Sequence, residues 1–269
     1  MVSMLKFIAA SCAAILTIAS VPPGVVAQDM TGLDTTSPAF TKSEMTRADI
    51  ESGLTKLSGS EVLDLSGKSL NGLDLSGMDL RRTKLQSARI NNVNFKGANL
   101  EGVVLDQAWA LKSNLTGAKL KGSSLFATQF GGSKLDGADF TNAHVAADFS
   151  NASVTDAKFD GADLSADEKN QSMGLMRGAF KSANLDGSSF KGANMARVMM
   201  EFASLRGVDL TNANLRKAEL AASDLTDANV RGANFDGADV DSARIGHLIN
   251  AHEAKNFDKL KNADRSVRD

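Results

Sequence analysis

A large apolar residue recurs at every fifth position through most of this chain, a period that fits neither a helix at 3.6 residues nor a strand at 2. Seventeen such centres run from Leu65 to Val145. The phase then slips by one residue, with centres at Phe149, Val154, Phe159 and Leu164. After six extra residues it resumes at Leu175 and runs to Ile245 with 15 more, making 36 centres. Nineteen are Leu, eight are Phe, eight are Ile, Val or Met, and only Ala110 is small. Two residues before the centre, 27 of the 36 positions hold Ala, Ser, Thr or Gly. Asp or Asn often precedes the centre, and Gly often follows two places after it.

Each five-residue unit must therefore turn a corner before the next begins. Gly, Asn and Asp supply the turns, while the centre and the small residue two before it point inward, one filling the bore and the other leaving room for it. Stacked coils pair each backbone group with the coil above and below. The Phe centres belong to that core stack and make no ligand cage.

The units Ala98-Asn99-Leu100-Glu101-Gly102, Ala138-Asp139-Phe140-Thr141-Asn142, Ala193-Asn194-Met195-Ala196-Arg197 and Ala233-Asn234-Phe235-Asp236-Gly237 carry a wider likeness. The chain resembles the pentapeptide-repeat family over residues 63–247. The resemblance implies an all-β solenoid, a right-handed quadrilateral parallel β-helix with one pentapeptide per side and four per coil, hence about nine coils and about 43 Å at a strand spacing of about 4.8 Å. It implies little about activity, because the motif consists of structural positions.

The flanks differ from the array. Lys6, the apolar run Phe7–Ala19, the break at Pro22, Pro23 and Gly24, and Val25-Val26-Ala27 read as a secretory signal cleaved before Gln28, hence a periplasmic or secreted protein. Removing residues 1–27 takes away Cys12, the only cysteine, which suits an oxidising compartment. Residues 28–40 read as a flexible leader, and a helical cap is expected within 41–61. There Thr41 with Glu44 offers a capping box ahead of Met45, Ala48, Ile50, Leu54 and Leu57. Leu63, Lys68, Leu73 and Met78 stand where later units use small residues. Residues 248–269 read as a second helical cap or tail, and the resemblance adds a homodimer through that segment.

Two irregularities are candidate partner sites. The insertion at 165–174 would project Asp167, Glu168, Lys169 and Asn170 as a loop, either tolerated or partner-contacting. Apolar residues also stand at outward positions: Val104, Trp109, Leu111 and Phe126 in one region, Met176, Met199 and Phe202 in another. They mark either a binding or dimer surface or a distortion in which Trp109 or Leu111 turns inward beside Ala110.

Catalytic, metal and cofactor motifs are missing from the sequence. His144, His247 and His252 are the whole imidazole supply, and the spacing of the last two does not share a helix face. The leading reading is an exported, non-catalytic rod acting as a protein-interaction or envelope scaffold, without cofactor or nucleic acid. The resemblance also brings in the quinolone-resistance pentapeptide proteins, whose acidic rods occupy the DNA site of gyrase. Export weighs against such DNA mimicry, and so does charge, since residues 62–245 hold 22 acidic and 21 basic side chains. A third class, an envelope hydrolase or lyase with an Asp-lined groove, rests on Asp abundance alone, and turn formation explains the Asp first.

Overall fold

The computed structural model describes residues 36–166 and 176–268. Its strands are reduced to single bridge residues, because a five-residue side spends most of its length turning. Only β1 (Leu63–Asp64) and β2 (Thr83–Lys84) reach two residues, and they pair in parallel. The same step of twenty then repeats as single parallel bridges, in four columns beginning at Asp64, Ser69, Asp74 and Asp79. In each unit the centre N–H donates to the following coil, as from Leu100 to Lys119 O at 2.7 Å, and the preceding residue's N–H donates back, as from Asn99 to Met78 O at 2.8 Å. Corners fall two residues after the centre in the left-handed region. Glycine enters it freely, as at Gly102 (φ 69°), and Asn, the next most tolerant, at Asn142 (φ 56°).

The centres and the small residues beside them form the bore. Inward hydroxyls bond carbonyls of their own coil, as Thr83 Oγ1 does to Leu80 O at 2.6 Å, or of the preceding one, as Ser113 Oγ does to Ile90 O at 2.6 Å and Ser133 Oγ to Ala110 O at 2.6 Å. In the middle of the array the filling is aromatic. Phe130, Phe149 and Phe180 stack in one column at 5.1 and 4.7 Å between ring centroids. Phe140, Phe159 and Phe190 stack in another at 4.6 and 4.8 Å. The two stacks meet edge to face, at 6.1 Å between Phe149 and Phe159.

Both breaks in the period fall at one corner, between the first and second columns. The slip is a shortened corner at Ala146-Ala147, both buried, so Gln129 pairs with Asp148 after 19 residues instead of 20. In the next coil the chain leaves at Ala166 and returns at Gly178, whose N–H donates to Leu164 O at 2.9 Å. This corrects the expected register. Phe180 takes the side directly after Leu164, and sixteen residues separate them where a side takes five, so the insertion has eleven extra residues rather than six. Leu175, expected as a centre, lies outside the described residues.

The N-terminal end is closed by α2 (Arg47–Thr55), preceded by the single turn α1 (Pro38–Thr41). The capping box is Thr46 with Asp49, not Thr41 with Glu44: Thr46 N–H donates to Asp49 Oδ2 at 2.8 Å, and Asp49 N–H to Thr46 Oγ1 at 3.2 Å. Glu44 is instead held against the first coil, its N–H on Ser69 O. Ile50 is fully buried, and Leu54, Leu63 and Leu73 pack half-buried at the same end, so bulk replaces the usual small residue where the helix covers the bore.

The C-terminal segment corrects a third expectation. Residues 249–267 form no helical cap; they continue all four columns, with Ile249, Lys255, Lys261 and Val267 bridging to Asn229, Asn234, Asp239 and Arg244. The side has lengthened to six residues. After the first three bridges an Asn enters the left-handed region (Asn250, Asn256, Asn262), followed by a 3-10 turn. Each Asn amide donates to a side-chain oxygen one coil back, on Asn229, Asn234 or Asp239, at 2.8 Å in every case. Leu248, Phe257 and Leu260 plug the bore.

Candidate interaction surface

Polar residues dominate the outside of the solenoid, and they are largely spent on local order. An Asp or Asn before the centre accepts the N–H two residues on and pairs with the next coil, so Asn94 takes Lys96 N–H at 3.2 Å while its amide donates to Asp74 Oδ1 at 3.0 Å. Acid and base alternate between adjacent coils: Lys121–Asp139 at 3.4 Å, Lys191–Asp209 at 3.1 Å, Arg206–Asp224 at 3.1 Å and Arg216–Asp236 at 3.3 Å. The acidic residues in these pairs therefore do not merge into one anionic face.

Several turn carboxyls, four of them partly buried, are held below the ordinary aspartate range. At Asp136, Asp139, Asp209 and Asp224 partial burial opposes ionisation, but the hydroxyl and amide donors of Ser153, Thr155, Thr141, Thr211 and Thr226 outweigh it. A depressed carboxyl adds stability that is present above its unfolded value and is lost as pH falls through the folded one. Urea midpoints should hold steady from pH 7 to about 5 and fall below about 4. A midpoint that rises on acidification would contradict the assignment.

Six of the seven outward apolar residues occupy the side that carries the second column, or one of the two corners that bound it. Trp109 and Met199 are themselves in that column, Leu111 follows its centre, and Phe126 lies at the corner. Met176 stands at the returning foot of the insertion, and Phe202 holds a left-handed corner (φ 60°) with 64% of its surface exposed. Val104 lies in the neighbouring first column. Neither Trp109 nor Leu111 turns inward: Ala110 keeps its place as a fully buried centre, in the column that holds Phe130, and both neighbours remain half-buried on the outside. The two regions named from sequence thus share one flank, and between them lie Gln129, Asp148 and Ala179. The loop residues Asp167, Glu168, Lys169 and Asn170 lie outside the described residues.

Two features of this flank were not foreseen. Residues 36–45 lie across its first coils, and the Phe40 ring covers Trp109 at 5.4 Å and 43°. At the other end Arg177, at the foot of the insertion, reaches two coils along the column to Glu219 Oε1 at 2.9 Å. Burial pushes the Glu219 carboxyl up; Arg177 opposes this, and the nearby Glu201 carboxyl adds to it. No sequence period announces either contact. Among the described residues no group of three or more His, Cys, Asp or Glu is placed to hold a metal ion. His144 stands 3.8 Å from Asp163, and His252 3.8 Å from Glu253, all on the outside.

A family model described as pentapeptide repeats matches in eight copies, over residues 64–97, 179–212 and 203–241. The chain is a pentapeptide-repeat protein. The pentapeptide-repeat β-helix is a right-handed solenoid, and the twenty-residue register is its coil. Among solved structures this pentapeptide-repeat chain is similar to HetL, a protein involved in heterocyst differentiation regulation from the cyanobacterium Nostoc sp. strain PCC 7120, at 19% identity over 83% of this chain and 95% of HetL, with a TM-score of 0.43. It is similar to QnrB1, a plasmid-mediated fluoroquinolone resistance protein, at 16% identity over 75% of this chain and 92% of QnrB1, with a TM-score of 0.44. A pentapeptide repeat protein from the Arabidopsis thaliana thylakoid lumen is 26% identical over 50% of this chain and 70% of its own, with a TM-score of 0.19. No curated protein matches.

Proposed function

We propose that this pentapeptide-repeat protein is an exported, non-catalytic rod of nine pentapeptide coils followed by three six-residue sides that binds a protein or envelope partner through the flank of its second column. The observation that carries the reading is the gathering of Trp109, Leu111, Phe126, Met199 and Phe202 along one flank of a surface otherwise made of polar ladders. Proteins of this family generally serve as structural or interaction modules, which agrees with the absence of catalytic motifs. Export rests on the apolar N-terminal run and the small residues before Gln28. Alternating charge speaks against a DNA-mimic role, because such mimicry needs a sustained negative face.

The test uses the processed chain and a Met199→Lys, Phe202→Asp variant as baits in the exported fraction of the native cell. Intact mass should show a chain beginning at Gln28. A partner should be retained by the unmodified rod and lost by the variant, with equal denaturation midpoints. Retention by both baits would remove the flank from the reading, and a full-length cytoplasmic chain would remove export.

A further inference from the structure

The first coils of the flank form a groove already filled by the chain itself. Ser69 and Asn71 sit at outward positions, yet both are 3% exposed, because residues 42–44 cover them. Ser69 Oγ and Asn71 Nδ2 both donate to Lys42 O, the latter at 3.3 Å. Glu44 N–H donates to Ser69 O at 2.8 Å, and Ser43 forms the one antiparallel bridge to the array, with Leu70. Two coils further along, Phe40 lies on Trp109, and with Thr36 and Thr41 it walls a cavity whose other side is Asn91, Leu111 and Lys112. Beneath runs a buried amide ladder: Asn91 N–H donates to Asn71 Oδ1 at 2.9 Å, and Leu111 N–H to Asn91 Oδ1 at 3.0 Å. These contacts describe a peptide site, with paired side-chain donors for one carbonyl, a strand edge for its neighbours and an aromatic shelf for one ring.

We propose that residues 36–45 are a releasable strap and that the groove beneath it docks an extended partner segment carrying an aromatic side chain. The inference rests on the reading of this flank as a partner surface and adds its regulation and the chemistry of the occupant. The rod is held by a continuous ladder and a sealed bore, whereas the described contacts of the strap are one bridge, the hydrogen bonds that Lys42, Ser43 and Glu44 make with Ser69 and Asn71, exposed ion pairs from Glu44 to Arg89 at 3.1 Å and Lys68 at 3.9 Å, and one ring contact, with Thr41, Lys42 and Glu44 exposed. Segments with so few buried contacts open without global unfolding. The strap chemistry sets that of the replacement, which must bring a carbonyl to Ser69 and Asn71 and a ring to Trp109.

Trp109 is the only tryptophan and reports the shelf directly. In the full chain the Glu44 amide should exchange with deuterium about 100-fold faster than the Leu70 amide or more. Phe40→Ala should raise acrylamide quenching of Trp109 about twofold while leaving the denaturation midpoint unchanged. A Phe40→Ala, Glu44→Pro variant loses the ring and the N–H donor to Ser69 O. A synthetic peptide of residues 36–45 added to it should restore protection of Trp109, and the same peptide with alanine for phenylalanine should not. Equal exchange at Glu44 and Leu70 would make the strap an integral part of the rod and overturn release. Failure of the peptide to protect Trp109 would overturn docking. Either result can occur while the Met199 and Phe202 end of the flank still retains its partner, so the broader reading is judged separately.

Discussion

Replacing Phe159 with alanine should cost about 3–5 kcal/mol of stability, among the largest effects expected of a single change in this protein. The ring is fully buried and touches four others: Phe140 and Phe190 face to face at 4.6 and 4.8 Å, and Phe149 and Phe180 edge to face at 6.1 and 5.8 Å. Its loss removes the burial of a large side chain and four aromatic contacts together. Relaxation into the space is limited, since the ladders fix the coil spacing on every side. Urea unfolding followed by circular dichroism measures the loss, and Phe159→Leu, which keeps most of the volume, should retain well over half of the difference. A cost below about 1 kcal/mol for Phe159→Ala would mean that the two stacks are not packed as described.

Leu135→Ala should cost about 2–5 kcal/mol, whereas Lys134→Ala, one residue away, should stay within about 0.5 kcal/mol. Leu135 is a fully buried centre, and its backbone N–H donates to Ser153 O at 2.7 Å. Lys134 bridges Asn114 and Ser153 through its backbone, which alanine preserves, and its side chain is exposed. The contrast tests the inward and outward alternation on which every surface assignment depends. Comparison of urea midpoints at equal slope is sufficient, and equal damage from both changes would dismantle the register.

The array was legible because every unit repeats the same local bargain between a bulky centre, a small neighbour and a turn former. Thus Leu100, Ala98 and Gly102 could be placed inside, inside and at a corner from spacing alone. The insertion was misjudged for a related reason: Leu175 carries the right residue type at the right phase, and only the pairing of Asp148 with Ala179 shows that Phe180 occupies the next side. At the C-terminus a signal was present and overlooked. Asn250, Asn256 and Asn262 stand six apart, each one residue after a bridge, so a longer side with an amide ladder was readable there in place of a helix. The strap carried no such signal. Ser37-Pro38-Ala39-Phe40 looks like any leader, and nothing local says that Phe40 meets Trp109, because that contact depends on where the first coil lets the chain go. The Arg177–Glu219 pair was hidden in the same way, being 42 residues apart in a column whose count the insertion had disturbed.

The corner between the first and second columns has a consequence for how such a chain can change length. One residue is lost there in one coil and eleven are gained in the next, yet the columns continue in line, with Gln129 on Asp148 and Asp148 on Ala179. Insertions and deletions confined to a corner leave the angular position of everything downstream untouched. Gain or loss of one whole five-residue side would act differently, indexing the remainder of the rod by a quarter turn. Met199 and Phe202 would then leave the flank that carries Trp109, although every core contact could re-form. Sides can therefore be added or removed only in fours if the flank is to stay a single surface, whereas loops of any length can be hung at a corner.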